Sequence, residues 1–216
     1  MTDRLWPETV TLQGDHVRLE PLSLTHLDEL TQATQDGELW RLWYTSVPSP
    51  QGMAAEIERR LALRTAGSML PFAVISTMPG PLSGQAVGMS TYMNIDAANR
   101  RLEIGSTWYR RAVQRTALNT QAKRLLLSHA FEVLDCIAVE FRTHFMNHQS
   151  RRAIERLGAR LDGVLRSHQI NRHPDAGGSL RDTCVYSITA AEWPMVRSHL
   201  DHQLRQPCPA EEAGSC

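Results

Sequence analysis

The residues whose types and spacing could do chemistry concentrate between Glu103 and Lys123, in the stretch EIGSTWYRRAVQRTALNTQAK. It reads as a strand that enters a loop, with the loop running directly into the N-terminus of a long helix. Such a junction gathers backbone N–H groups that have no intrahelical partner, and it carries the positive end of the helix dipole. Both suit a phosphate or pyrophosphate. Arg110, Arg111, Arg115, Lys123 and Arg124 cluster along the stretch and could neutralise more of a polyanion's charge. A strand, a short loop and a helix also form a common plain connection, so the junction alone does not settle a function. A second group, Trp40, Trp43 and Tyr44, lies in an aromatic loop. Such a loop can contact a substrate or act as a hydrophobic lid over the core.

These residues need elements to position them. Val17 to Pro21 alternates as a strand, and Pro21 and Ser23 open a helix around Leu24 to Ala33. After the aromatic loop and the Pro48 to Pro50 turn, the spacing predicts a helix over about Met53 to Arg64, with Ile57, Leu61 and Leu63 inward. Pro71 to Thr77, Gln85 to Ile95 and Arg101 to Tyr109 read as an antiparallel meander, punctuated by MPGPLSG and DAAN. The main helix follows, where Ala122, Leu125, Leu126, Ala130 and Val133 recur at helical spacing. Then come a strand over Ala138 to His144, a helix over Gln149 to Leu157 ended by Gly158, and strands over Leu161 to Ile170 and Thr183 to Ile188. A strand, helix, strand order after a meander implies a parallel pair made by a right-handed crossover. A peripheral helix is expected from about Ala190, and Gln206 to Cys216 reads as a frayed tail.

Composition narrows the function classes. The chain has 216 residues, with 23 Lys and Arg against 23 Asp and Glu, so its formal net charge is zero. A nucleic-acid binder working by overall field is excluded, and any polyanion site must be local. No stretch approaches the roughly 18 apolar residues of a membrane helix, and the N-terminus lacks a basic cap followed by an apolar run. The expectation is a cytoplasmic protein with no membrane partner. Cys136, Cys184, Cys208 and Cys216 share no metal-ligand spacing, so neither a disulfide framework nor a metal site is expected. Lys123 is the one lysine among the 23 basic residues.

The order EIGSTWY, QRTALNTQAK, NHQSRRAIERLGARLDGVLR and RDTCVYSITAAEW resembles the GNAT acetyltransferase superfamily, in particular the branch similar to bacterial ribosomal-protein N-terminal (RimJ/RimL-type) acetyltransferases. The resemblance runs from about Leu12 to Trp193. It implies an α/β (α+β) fold: one GNAT-like domain with a mixed, twisted sheet of about seven strands, flanking helices and a splayed parallel pair that admits the pantetheine arm of an acyl-CoA. The expected organisation is an extension over 1–11, the acyltransferase domain over 12–193, and a C-terminal helix and tail over 194–216.

The same resemblance assigns candidate site residues. Gln114, Arg115, Thr116, Ala117, Leu118 and Asn119 stand in the places of the pyrophosphate loop Q/R-x-x-G-x-G/A. Ala117 replaces the usual glycine, at a cost of about 1 kcal/mol if the position needs φ > 0, and Asn119 can act as a helix N-cap. Ser106, Thr107 and Trp108 match the backbone positions that pair with pantetheine and polarise the thioester carbonyl. Asn147 and Ser150 match the N-x-x-S pair, an amide for CoA and a hydroxyl for the departing thiolate, although both residue types also cap helices. Arg151 and Arg152 follow in a helix's first turn, where a phosphate contact explains a cation better than the dipole does.

Glu103 leads as the base that receives the amine proton, with a structural pairing to Arg101 or Arg142 as its other reading. His168 is the second candidate, near a position where relatives carry a carboxylate and this chain has Gln169. His144 reads as a strand end and Asp182 as an organiser of its turn.

The function implied is acetyl transfer from acetyl-CoA to a primary amine, a protein N-terminus or a small molecule, by direct attack. Trp40, Trp43 and Tyr44 are the candidate acceptor contacts, and paired strand edges would give a homodimer. The alternative is a module of the same fold that binds or senses acyl-CoA without transferring it.

Overall fold

The structure is a computed structural model that describes residues 6–206. Its centre is an eight-stranded sheet in the order β1-β2-β3-β4-β5-β6-β8-β7. The strands are β1 (Leu12–Gln13), β2 (Val17–Pro21), β3 (Met69–Ser76), β4 (Ala86–Asp96), β5 (Arg101–Tyr109), β6 (Ala138–His144), β7 (Arg160–Ile170) and β8 (Leu180–Thr189). The helices are α1 (Leu27–Gln35), α2 (Met53–Thr65), α3 (Ala117–Ser128), α4 (His148–Arg156) and α5 (Trp193–Arg205). Neighbouring strands run antiparallel except β5 and β6, the parallel pair. The eighth strand, against about seven expected, comes from the two-residue β1 beside β2.

Both faces of the central strands are covered, which is why β3 reads MLPFAVIS and is buried at every position. On one face α3, with Leu126, and α5 pack over Val17, Phe72, Tyr92 and Tyr186. On the other, α1 and α2 cover Leu22, Leu30, Ile57, Met89 and Trp108. Each fully buried aliphatic side chain here contributes about 2 kcal/mol of transfer free energy. Beyond β5 the α1–α2 layer ends, and Glu140, Arg142 and His144 of β6 share its face with Thr183 and Arg181 of β8. That uncovered face carries charge instead of apolar side chains.

The structure departs from the sequence expectations in particular places. The first helix is preceded by a 3-10 turn over Leu24–His26. In α2 the third buried residue is Arg60, beside Met53 and Ile57, while Leu63 is only partly covered. The main helix widens into a π turn over His129–Val133. Gly158, with φ +96°, closes α4 as expected. Cys136 and Cys184 are buried free thiols. The expected tail, with Cys208 and Cys216, lies outside the described residues apart from Gln206. Among the described residues no helix is long and apolar enough to cross a membrane.

Candidate active site

The site is organised by a bulge in β5. Met89 pairs with Trp108 and Thr91 with Gly105, so Ser106 and Thr107 together oppose the single residue Ser90. Ser106 takes the left-handed conformation, φ +47°. The strands approach so closely that a side chain at Gly88 would start 2.1 Å from the Trp108 carbonyl oxygen.

Two buried cations hold this bulge, one from each face of the sheet. From α2, Arg60 donates to Glu56 Oε1 at 2.7 Å, to Thr91 Oγ1 at 2.7 Å, and from both terminal nitrogens to the Ser106 carbonyl at 3.4 Å. From α3, Lys123 donates to Thr107 Oγ1 at 2.7 Å and Ser90 Oγ at 3.1 Å. Its partners are hydroxyls, not carboxylates, and burial pushes its ammonium down to about 7.

Beside the bulge the parallel ladder of β5 and β6 stops at Glu103 and Glu140. Beyond that register, the backbone of β5 from Ile104 to Tyr109 borders a cleft of about 1080 Å³. One wall is the start of α3. Thr116, not Asn119, caps this helix, accepting from the Leu118 N–H at 3.3 Å. The left-handed residue of the loop is Arg115, φ +62°, whereas Ala117 is the first residue of the helix. The alanine therefore carries no left-handed strain. Leu118 is fully buried in the core, so its side chain does not reach the cleft that Gln114, Arg115, Thr116, Ala117 and Asn119 line.

The opposite wall is the start of α4. Asn147 Oδ1 accepts from the Ser150 N–H at 3.0 Å and caps the helix, while Asn147, Ser150 and Arg152 all line the cleft. Arg156, one turn after Arg152, lines it too and donates to Thr120 Oγ1 at 3.4 Å. Sequence reasoning passed over Arg156, although its i,i+4 spacing from Arg152 put both on one helix face. Arg151 turns away to the Tyr186 hydroxyl and the Phe145 ring.

The basic cluster expected at the α3 junction disperses. Arg110 pairs with Asp36 at 3.0 Å, Arg124 pairs with Asp201 at 2.7 Å and lies over Trp193, and Arg111 packs against Gly37. Lys123 is buried beneath the bulge, at the floor of the cleft. Arg115 lines the cleft from the loop before α3, Arg152 and Arg156 line it from α4, and Arg142 and Arg181 line it from β6 and β8.

The far end of the cleft holds Glu103, which is 4% exposed. Burial pushes its carboxyl up, against the opposing influence of a 2.7 Å hydrogen bond from Asn94 Nδ2 and of Arg142, whose Nε lies 3.6 Å away. Arg101 pairs instead with Glu140 at 2.6 Å. His144 Nδ1 accepts the Met146 N–H at 3.0 Å, which assigns the neutral ring's proton to Nε2, and burial pushes its pKa down. His168 lies farther out, its Nδ1 3.1 Å from Thr183 Oγ1. Of the aromatic loop, Tyr44 lines the cleft, and Trp43 packs edge-on against His144 with ring centroids 5.1 Å apart. Trp40 lies under Arg41 and is not among the cleft-lining residues. The loop is tied to the β7–β8 hairpin, where Asn171 Nδ2 donates to the Trp43 carbonyl and His173 Nε2 meets that of Trp40.

A family profile described as an acetyltransferase (GNAT) domain matches residues 16–160. The chain belongs to the GNAT acetyltransferase family.

A GCN5-related N-acetyltransferase from Brucella melitensis superposes with a TM-score of 0.80 at 31% identity, covering 97% of this chain and 91% of that one. RimJ from Mycobacterium smegmatis, solved in complex with CoA-disulfide, shares the fold with a TM-score of 0.72 at 22% identity, covering 93% and 96%. YdaF of Bacillus subtilis (strain 168), a candidate ribosomal N-acetyltransferase, is 31% identical over 110 residues, 51% of this chain. The chain spans 57% of the length of that curated relative.

Proposed function

We propose that this GNAT chain transfers an acetyl group from acetyl-CoA to a primary amine, a protein N-terminus being the acceptor class that the names of its ribosomal relatives favour. The observation that carries the reading is the end of the parallel ladder at Glu103, between two arginine-lined helix N-termini, with a buried carboxylate at the open end. The donor set fits the cofactor. Backbone N–H groups at the starts of α3 and α4, with Arg115, Arg152 and Arg156, suit a pyrophosphate. The unpaired edge of β5 suits an extended amide arm.

Acetyl-CoA supplies the activated acyl group. Glu103, its affinity for a proton raised by burial, accepts one from the incoming ammonium and leaves a neutral nucleophile. Backbone N–H groups of the Ser106 to Trp108 bulge stabilise charge that develops on the carbonyl oxygen, and the bulge is held rigid for that task by Arg60 and Lys123. Ser150, at the start of α4, passes to the departing thiolate the second proton that the attacking nitrogen loses as the amide forms, and is itself left neutral. His168 and Thr183 order the outer wall. The reading of a sensor without transfer rests on Ala117 and on Gln169, where no carboxylate stands; the helical conformation of Ala117 speaks against the first of these features and leaves the second.

Isothermal titration with CoA, followed by mass detection of an acetylated peptide amine, tests the proposal. Saturable CoA binding with acetyl transfer is expected. Absence of both at millimolar ligand would overturn it.

A further inference from the structure

The open sheet face beyond β5 carries one guanidinium too many. Glu140 takes both Arg101, at 2.6 Å, and Arg142, at 2.9 Å. Glu103 takes the Asn94 amide and stands 3.6 Å from Arg142. Arg181, in register with Gln169 of β7 and two residues before Thr183, which pairs with His144 of β6, lines the same cleft. It has no ion pair within 4 Å among the described residues, although the Glu103 carboxylate lies near enough to act on its charge, and its Nε is buried with no hydrogen-bond partner. Asp182, the next residue in sequence, lies on the other face of the strand and serves the Ser167 N–H and Arg166. The Nε2 of His144, the position that carries the ring proton, is likewise buried without a partner.

A partly buried guanidinium that no carboxylate hydrogen-bonds is costly, and its planar fork matches a carboxylate. The two unpartnered donors, Arg181 and His144, line the cleft that also holds Glu103, the group assigned to take the amine proton. We propose that the acceptor is an amine bearing a nearby carboxylate, and that Arg181, assisted by His144 Nε2–H, binds that carboxylate while Glu103 faces the amine. Arg181 is thus a specificity-determining residue. The assignment rests on the acetyl-transfer reading above.

Two sources supply this chemistry: the α-carboxylate of a free amino acid, and an acidic side chain following a peptide's first residue. Each gives a matched pair of acceptors, serine against serinamide, and a Ser-Asp peptide amide against a Ser-Asn peptide amide. In at least one pair the acidic member is expected to show a KM about tenfold or more below its neutral partner, as a charge-assisted hydrogen bond provides. Arg181→Gln is expected to erase that preference while leaving the neutral member's KM within about twofold, and Arg181→Lys is expected to restore part of it.

The same preference is expected in equilibrium binding of the N-acetylated forms of the four compounds, measured with CoA present and without turnover. That arm reads Arg181 whether or not transfer occurs, so failure of the transfer reaction and failure of this assignment are distinguished. Equal use and equal binding of acidic and neutral members in both pairs would overturn the assignment. So would an Arg181→Gln variant that loses acidic and neutral acceptors alike.

Discussion

Replacing Lys123 by methionine isolates the most unusual charge in the molecule. An unfolded lysine holds its proton up to its ordinary value of 10.5, whereas burial between α3 and the sheet pushes the folded value down to about 7. Between those values the unfolded chain binds more protons than the folded one, so stability rises with pH across the window and is lowest at its acid end. Each pH unit well inside the window is worth about 1.4 kcal/mol. Integrating from about pH 7, where the folded group is half charged, to about pH 9 gives a gain of roughly 2 kcal/mol. Methionine preserves the length and the apolar stem and has nothing to titrate. The hydroxyls it would leave behind, Ser90 Oγ and Thr107 Oγ1, already lie 2.8 Å apart and satisfy one another.

Other buried groups act in the opposite sense at alkaline pH. Tyr92, Tyr109 and Cys136 are all pushed up by burial, but they are common to both proteins and cancel in the difference. The assay is urea unfolding of wild type and Lys123→Met at a series of pH values, with midpoint and slope read separately. The wild-type stability is expected to climb relative to that of the variant by roughly 2 kcal/mol over the interval. Parallel stability curves would refute the reasoning.

Glu103→Gln is expected to lower kcat by about a hundredfold or more at unchanged CoA affinity, read from steady-state rates and titration calorimetry. In the wild type, kcat is expected to rise with pH as the Glu103 carboxyl, held above its ordinary range, loses its proton. Arg60→Met leaves the Glu56 carboxylate and the Ser106 carbonyl without their donor, and is expected to cost about 3 kcal/mol in chemical unfolding; Arg60→Lys should cost less. Arg156→Ala is expected to weaken CoA binding about fivefold and to flatten its salt dependence. Its side chain is exposed, so thermal unfolding should not move.

The fold was legible because its signals were periodic. The meander, the main helix and the strand Ala138–His144 follow from alternation and helical spacing alone. The site was legible only where sequence neighbours stay spatial neighbours, as along Gln114 to Asn119 and from Asn147 to Arg152. Arg60 escaped because a charged residue on an amphipathic helix reads as solvent-facing, Lys123 read as one of a cluster of phosphate-binding cations, and only the β5 bulge explains their burial. Arg110 and Arg124 misled for the converse reason. Their partners, Asp36 and Asp201, lie 74 and 77 residues away in sequence, a separation no local pattern displays. Arg181 gave no signal at all, since its meaning lies in the carboxylates that other strands have already claimed.

The position of β8 bears on the order in which the molecule can be completed. It is the last strand among the described residues, yet it lies between β6 and β7, so β7 has no seat in the sheet until β8 has been synthesised. The hairpin these strands form reaches back over 128 and 133 residues to tie down the carbonyls of Trp43 and Trp40. On the ribosome, the start of α3, proposed above to hold a pyrophosphate, is therefore finished long before the roof over Glu103. A nascent chain halted near Gly158 has the loop before α3 and lacks β7 and β8, the outer wall on which the proposed choice of acceptor depends.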